Sequence, residues 1–229
     1  MRERKSAEER KSEIIETTLR LADRVGPDRL STQAIAKAIC VTQATIFRHF
    51  STKQALWEAV AGRIGDKFQT CWRAAEDSET PATDKLQALI ISQLKLIHAI
   101  PAIPAILLSR ELHAENNRLR RLFYGMMERF HRRIARLIEE GQQQGHFRDS
   151  LDSADAAFLV ISLVQGLVLR WSLSGRNFDI VGEGQRLFSV LRESFCIAPP
   201  LGWNGSEAAP ATSLSVDKQQ SDTMDRTSS

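Results

Sequence analysis

Between Thr42 and His49 the chain reads Thr-Gln-Ala-Thr-Ile-Phe-Arg-His. Hydroxyl and amide side chains gathered on one short segment can exchange hydrogen bonds with the edges of base pairs, and an arginine beside them can hold a phosphate. The surrounding charge fits that chemistry. From Arg29 to Lys53 the chain carries Arg29, Lys37, Arg48 and Lys53 with no Asp or Glu, although its overall net charge is only +3. Local positive charge of this kind steers a protein onto a phosphate backbone.

Such side chains need a helix to present them, and the flanking sequence supplies two. Ser31 or Thr32 can cap a short helix over Thr32 to Ile39, with Ile35, Ala36 and Ile39 on its inward stripe. Cys40-Val41 marks a tight turn with Val41 inward, and Thr42 can cap a second helix to about His49. Ile46 and Phe50 point inward there, which leaves Thr42, Gln43, Ala44, Thr45, Phe47, Arg48 and His49 outward. A helix this short, with an uncharged polar start, suits a major groove roughly 12 Å wide.

The run from Ile14 to Leu56 resembles the DNA-binding domain of the tetracycline-repressor (TetR) family. The resemblance rests on Ile14-Ile15, Val25-Gly26, Ser31-Thr32, Ile35-Ala36, Thr45-Ile46-Phe47, His49-Phe50 and Lys53 to Leu56, in order and at the right spacing, over about a fifth of the chain. It implies that Thr32, Gln33, Gln43, Ala44 and Thr45 touch bases or nearby phosphates. It implies equally that Phe47, Arg48, His49 and Lys53 touch the sugar-phosphate backbone or the groove edge. Two residues depart from the family pattern. Phe47 stands where a tyrosine hydroxyl usually donates to phosphate, so one backbone contact is expected to be missing. Cys40 stands where glycine is usual, so either it accepts a left-handed backbone or the turn is shaped differently.

The rest of the chain reads as helix throughout, about nine in all, and the expected fold is all-α. A three-helix DNA-binding domain over residues 1–52 precedes a helical effector-binding and dimerisation domain over 53–196 and a disordered tail over 197–229. Helix 1 is expected over Ala7 to Val25, and a fourth helix over Lys53 to Arg73, capped by Ser51. Thr80 should cap the fifth helix with Pro81 at its first position. One short helix should cover Ala102 to His113, and a strongly amphipathic one Asn116 to Glu140, ended by Gly141 and Gly145. Asp152 should cap a helix to Leu173, and Asp179 or Gly182 precedes the last, ending near Phe195.

Composition excludes several classes. The N-terminus MRERKSAEERKSE lacks the apolar core of a secretory signal, and the apolar run Ala156 to Leu169 reads as too short to span a bilayer, so a cytoplasmic protein is expected. Cys40, Cys71 and Cys196 show no CxxC spacing and the five histidines no HxxxH, so no metal and no cofactor are expected. No glycine-rich phosphate loop or nucleophile elbow suggests an enzyme.

The helix from Asp152 to Leu173 is apolar on more than one face, which calls for cover on both sides. A second copy of the chain is the expected cover, through Val160, Val164 and Leu167 together with Leu187, Val190 and Leu191. The resemblance implies the same four-helix homodimer, and a two-fold dimer would read a palindromic double-stranded DNA operator with half-sites ~34 Å apart. It also implies a small-molecule effector, for which Trp72, Leu94, His98, Leu107, Phe123, Met127, Phe130 and Trp171 are the candidate lining. These side chains suit an apolar or aromatic compound. The expected function is a ligand-responsive repressor, the alternative an effector-less DNA-bound adaptor or architectural protein of the same fold.

Overall fold

The computed structural model describes residues 5–196, so the expected tail lies outside the described residues. Ten helices fill this range: α1 (Ala7–Val25), α2 (Thr32–Ala38), α3 (Gln43–His49), α4 (Lys53–Glu76), α5 (Ala82–Ala99), α6 (Ala102–Leu108), α7 (Arg110–Glu115), α8 (Asn117–Gln143), α9 (Ser153–Leu173) and α10 (Ile180–Glu193). No strand occurs among the described residues, only an isolated bridge between Phe147 and Cys196.

The first three helices close over Ile14, Leu19, Leu30, Ile35, Ile39, Ile46 and Phe50, all buried. α1 opens on a capping box, in which the Ser6 side chain accepts from the Glu9 amide while the Glu9 carboxylate accepts from the Ser6 amide at 2.7 Å. The bond from the Ser6 amide favours the charged Glu9 carboxylate and is the first cause of its lowered pKa, followed by the Ser6 side chain. Inside α1 the one fully buried hydroxyl, on Thr18, donates back to the Ile14 carbonyl at 2.8 Å. Behind this head, α5 lies against α4, α8 and α10, and α8 lies along α9.

Several boundaries differ from expectation for local reasons. Thr52, not Ser51, caps α4 by accepting from the Ala55 amide at 2.9 Å, and α4 runs on to Glu76. No side chain caps α5, whose N-cap is Pro81; the free Ala82 amide is instead taken by the Gln144 side chain at 3.0 Å. The stretch from Ala102 divides at Ser109, which ends α6 and caps α7 by accepting from the Leu112 amide at 3.1 Å. That division accounts for ten helices where nine were expected.

Gly141 does not end α8, which continues to Gln143. A Cβ there would lie 2.4 Å from Phe147 Cδ2, so the glycine allows the ring of Phe147, fully buried, to pack against the helix. Gly184 does the same for α10, where a Cβ would lie 2.1 Å from Leu94 Cδ1.

With 21 residues, α9 is long and apolar enough to cross a membrane, contrary to the shorter run read from sequence. Its Ala156, Ala157, Val160, Val164, Leu167 and Trp171 nevertheless fill the core of this helical domain.

Candidate nucleic-acid interface

α2 and α3 meet at a turn whose geometry settles the question raised by Cys40. Its φ is 56°, in the left-handed region, so cysteine here takes the conformation that glycine adopts without strain. The Val41 amide donates to the Ala36 carbonyl at 3.0 Å and the Cys40 amide to Lys37 at 3.2 Å. This is the paired C-terminal capping pattern that a left-handed residue makes possible. The turn keeps its shape and cysteine bears the cost.

Thr42 caps α3, its hydroxyl accepting from the Thr45 amide at 3.3 Å and lying 3.0 Å from the Thr45 hydroxyl. Gln33, Thr42, Gln43, Ala44, Phe47, Arg48 and Lys53 are exposed, while Thr45 and His49 are half-buried. Thr32 differs from its expected role as an outward contact, because only 8% of its surface is exposed. Its hydroxyl accepts from Gln43 Nε2 at 2.7 Å, so Thr32 holds Gln43 in place and leaves the Gln43 carbonyl oxygen free to accept. Phe47 is 42% exposed, a large apolar surface beside the other outward side chains of α3.

Charge converges on the same edge. Burial first, and then Arg48, Lys11 and Arg10, hold the pKa of His49 below its ordinary value. The first half of α1 therefore brings Arg10 and Lys11 near α3, a proximity that spacing along the chain does not reveal. Lys53 occupies the first turn of α4, where a cation opposes the helix dipole. An anion bound at that edge would reverse the penalty.

The head is tied to the second domain by several polar contacts besides α4 itself. Ser109 donates to Asp28, and the start of α4 is in turn fixed to the α7–α8 junction, Gln54 donating to the Glu115 carbonyl at 3.3 Å and Asn116 to the Gln54 carbonyl at 3.4 Å. Arg176, itself left-handed at φ 67°, donates to Asp23 of α1 at 2.5 Å and to the Pro101 carbonyl at 3.4 Å. Its guanidinium lies 5.6 Å from the centre of the Trp171 ring.

A cavity of about 530 Å³ opens behind these contacts, walled by α4, α5, α6, α8 and α9. Of the expected lining, Trp72, Leu107, Phe123, Met127 and Phe130 are present. Leu94, His98 and Trp171 are not. Leu94 is buried against α10, His98 is exposed with its ring 5.8 Å from that of Trp171, and Trp171 lies in the core beside Arg176. The walls also include Phe68, Gln93, Ile97, Ile103, Pro104 and Met126, which a residue-by-residue reading missed because it could not place the 95° bend between α5 and α6. Trp72 stacks between Phe68 and Phe130 at 5.5 and 5.1 Å, with its indole N–H donating to Gln93 at 2.8 Å. Among the described residues, no charged side chain lines the cavity.

The expected dimer residues divide in the same way. Val160, Val164 and Leu167 are at most 6% exposed and turn into the chain's own core, so they are not available to a second copy. Val190 is exposed, and Leu187 and Leu191 are half-buried.

Residues 14–60 match the profile of bacterial regulatory proteins of the tetR family, and residues 62–194 match the C-terminal region of YsiA-like proteins. The chain belongs to the tetR family. Among curated relatives, the nucleoid occlusion factor SlmA of Haemophilus ducreyi is 26% identical, covering 84% of this chain and 95% of its own length. SlmA of Marinobacter nauticus is 25% identical over 71% of this chain and 83% of its own. Solved structures share the fold. A transcriptional regulator from Saccharomonospora viridis in complex with choline superposes with TM-score 0.75 at 24% identity, covering 83% of this chain and 99% of that one. FadR from Bacillus subtilis in complex with stearoyl-CoA gives 0.69 at 17%, covering 80% and 98%. This tetR-family chain is thus a transcriptional regulator by fold and family, with its helix-turn-helix at α2 and α3.

Proposed function

We propose that the chain is a ligand-responsive homodimeric repressor that binds a palindromic double-stranded DNA operator in the cytoplasm and leaves it when an uncharged apolar or aromatic compound fills the cavity. The observation that carries this reading is the position of the cavity. Phe68 and Trp72 line it from α4, whose first turn holds Lys53, and Ile103 and Leu107 line it from α6, which packs on α1. A ligand that moves either helix moves the reading head. Structures of this fold solved in complex with choline and with stearoyl-CoA support a ligand for this cavity. Among the described residues the cavity wall carries no charged side chain, which disfavours a carboxylate or phosphate inside it.

In the reading proposed here, Gln33, Gln43, Ala44 and Thr45 face bases or nearby phosphates, with Thr42 setting the start of α3. Phe47, Arg48, His49 and Lys53 face the backbone and the groove edge. The dimer forms through the bare side of α9 and through α10 at Val190, Leu187 and Leu191. A differential ligand affinity of about 1–3 kcal/mol between the DNA-compatible and incompatible forms lowers operator affinity roughly 5- to 150-fold.

A second reading is an effector-less DNA-bound adaptor or architectural protein of the same fold, which the match to nucleoid occlusion factors along most of this chain favours. Operator titrations in the presence of apolar compounds separate the two. Compounds that bind the cavity and weaken operator binding support the repressor. Unchanged operator affinity at full occupancy of the cavity rejects it.

A further inference from the structure

A second, smaller cavity of about 200 Å³ lies where the head meets the second domain. Its wall includes Asp28 of the α1–α2 connection, Lys53 and Trp57 of α4, and Glu111 and Glu115 of α7, and it shares no residue with the larger cavity. Its charge is unbalanced. Three carboxylates stand there against one ammonium, all four exposed, and none of the four enters an ion pair among the described residues. Clefts lined mainly by one sign of charge concentrate the opposite sign, here a cation.

Trp57 makes a separate demand. It is only 3% exposed, and its indole N–H has no acceptor among the described residues. Asn116, the other buried polar side chain of this wall, is satisfied at both ends: it donates to the Gln54 carbonyl at 3.4 Å and accepts from the Leu119 amide at 2.9 Å. A buried donor without an acceptor is costly, and in a native fold it calls for a group that supplies one. A metal ion does not meet both demands. Among the described residues no three ligand side chains converge to hold one, and a bare ion accepts no hydrogen bond.

We propose that this cavity binds a small organic cation that also carries an oxygen acceptor, such as an amino alcohol or amino amide. Its ammonium group lies among Glu111, Glu115 and Asp28, and its oxygen accepts from the Trp57 N–H. Asp28 belongs to the head and Glu111 and Glu115 to α7, so the bound compound bridges the two parts and holds them at one separation. The inference is independent of the effector reading of the larger cavity.

Ethanolamine, titrated into the full chain at neutral pH and constant ionic strength, provides the test. Proton–nitrogen correlation spectra follow the Trp57 indole N–H, assigned through the backbone of α4. The expected result is a saturable downfield shift with a dissociation constant of about 1 mM. Propylamine has the same shape without the oxygen, and ethylene glycol the same shape without the charge; each is expected to bind about tenfold more weakly. Glu111→Gln/Glu115→Gln keeps the shape of the wall and is expected to lose about tenfold in ethanolamine affinity. An unmoved Trp57 signal, or propylamine binding as tightly as ethanolamine, overturns the site. Unchanged ethanolamine affinity in the double variant overturns the carboxylates as the seat of the cation, and the proposal with them. Should the double variant not fold, as judged by circular dichroism, the wild-type chain decides: ethylene glycol binding as tightly as ethanolamine overturns the proposal.

Discussion

At Cys40 the chain holds a left-handed backbone with a residue that pays for it, since a Cβ in that region costs roughly 1–2 kcal/mol. Cys40→Gly is expected to raise stability by up to about 1 kcal/mol, part of the gain being offset by the greater freedom of glycine when unfolded. Urea denaturation measures it; a loss of stability would show that the thiol contributes packing that its exposure does not suggest. At the DNA face, Lys53→Ala should weaken binding evenly across sequences and reduce the salt slope by about one, whereas Gln43→Ala should relax preference at one base position. Equal, sequence-independent losses for both would remove Gln43 from base readout. His49 adds a pH dependence. Its pKa is depressed in the free protein, chiefly by burial, and a neighbouring phosphate would favour the charged ring and raise it. Binding then takes up a proton, so operator affinity should rise as pH falls toward the depressed value of the free protein. Depression in the fold has the opposite sign for stability: the unfolded chain binds the proton more readily, so this contribution is present above about 6.5 and is lost as pH falls through the folded value. Affinity of His49→Gln that rises with acid as steeply as wild type would place the pH effect elsewhere.

Helices carry the clearest contrast between two glycines. In α4 a Cβ on Gly62 would meet nothing within 4 Å, so Gly62→Ala is expected to stabilise by about 1 kcal/mol through helix propensity. In α10 a Cβ on Gly184 would collide with Leu94, itself fully buried, so Gly184→Ala is expected to cost about 1–3 kcal/mol. Thermal unfolding of both variants checks the pair; a stabilising Gly184→Ala would mean that α5 and α10 separate easily. The same two kinds of glycine show what sequence could and could not reveal. The bounds of α1 and α9 were legible, because α1 ends at a Gly-Pro pair and Asp152 starts a long apolar run. Gly141 looked like a stop because nothing local shows that Phe147 folds back onto it. Ser109 stayed hidden as a cap because its other partner, Asp28, lies 81 residues away. The outward side chains of α3 were readable from spacing, since Ile46 and Phe50 fix its inward side. Thr32 was misplaced because its bond to Gln43 belongs to the packing of one helix on the other.

In the whole molecule, the two faces of α9 could not be told apart by periodicity, because both are apolar and only the folded chain shows which one it covers itself. Val160, Val164 and Leu167 went to the core, leaving Phe158, Leu159, Leu169 and Leu173 to the outside. On the proposed reading, the cavity beside them couples ligand contact through Trp72 and Phe130 to the head through α4 and α6. That coupling is what a bound ligand would act through. It is tested most directly by the operator affinity of the full chain, measured by fluorescence anisotropy at fixed salt, alone and saturated with an apolar compound whose binding is abolished by filling the cavity. Saturation is expected to weaken operator binding roughly 5- to 150-fold. An affinity that stays the same at saturation would contradict it.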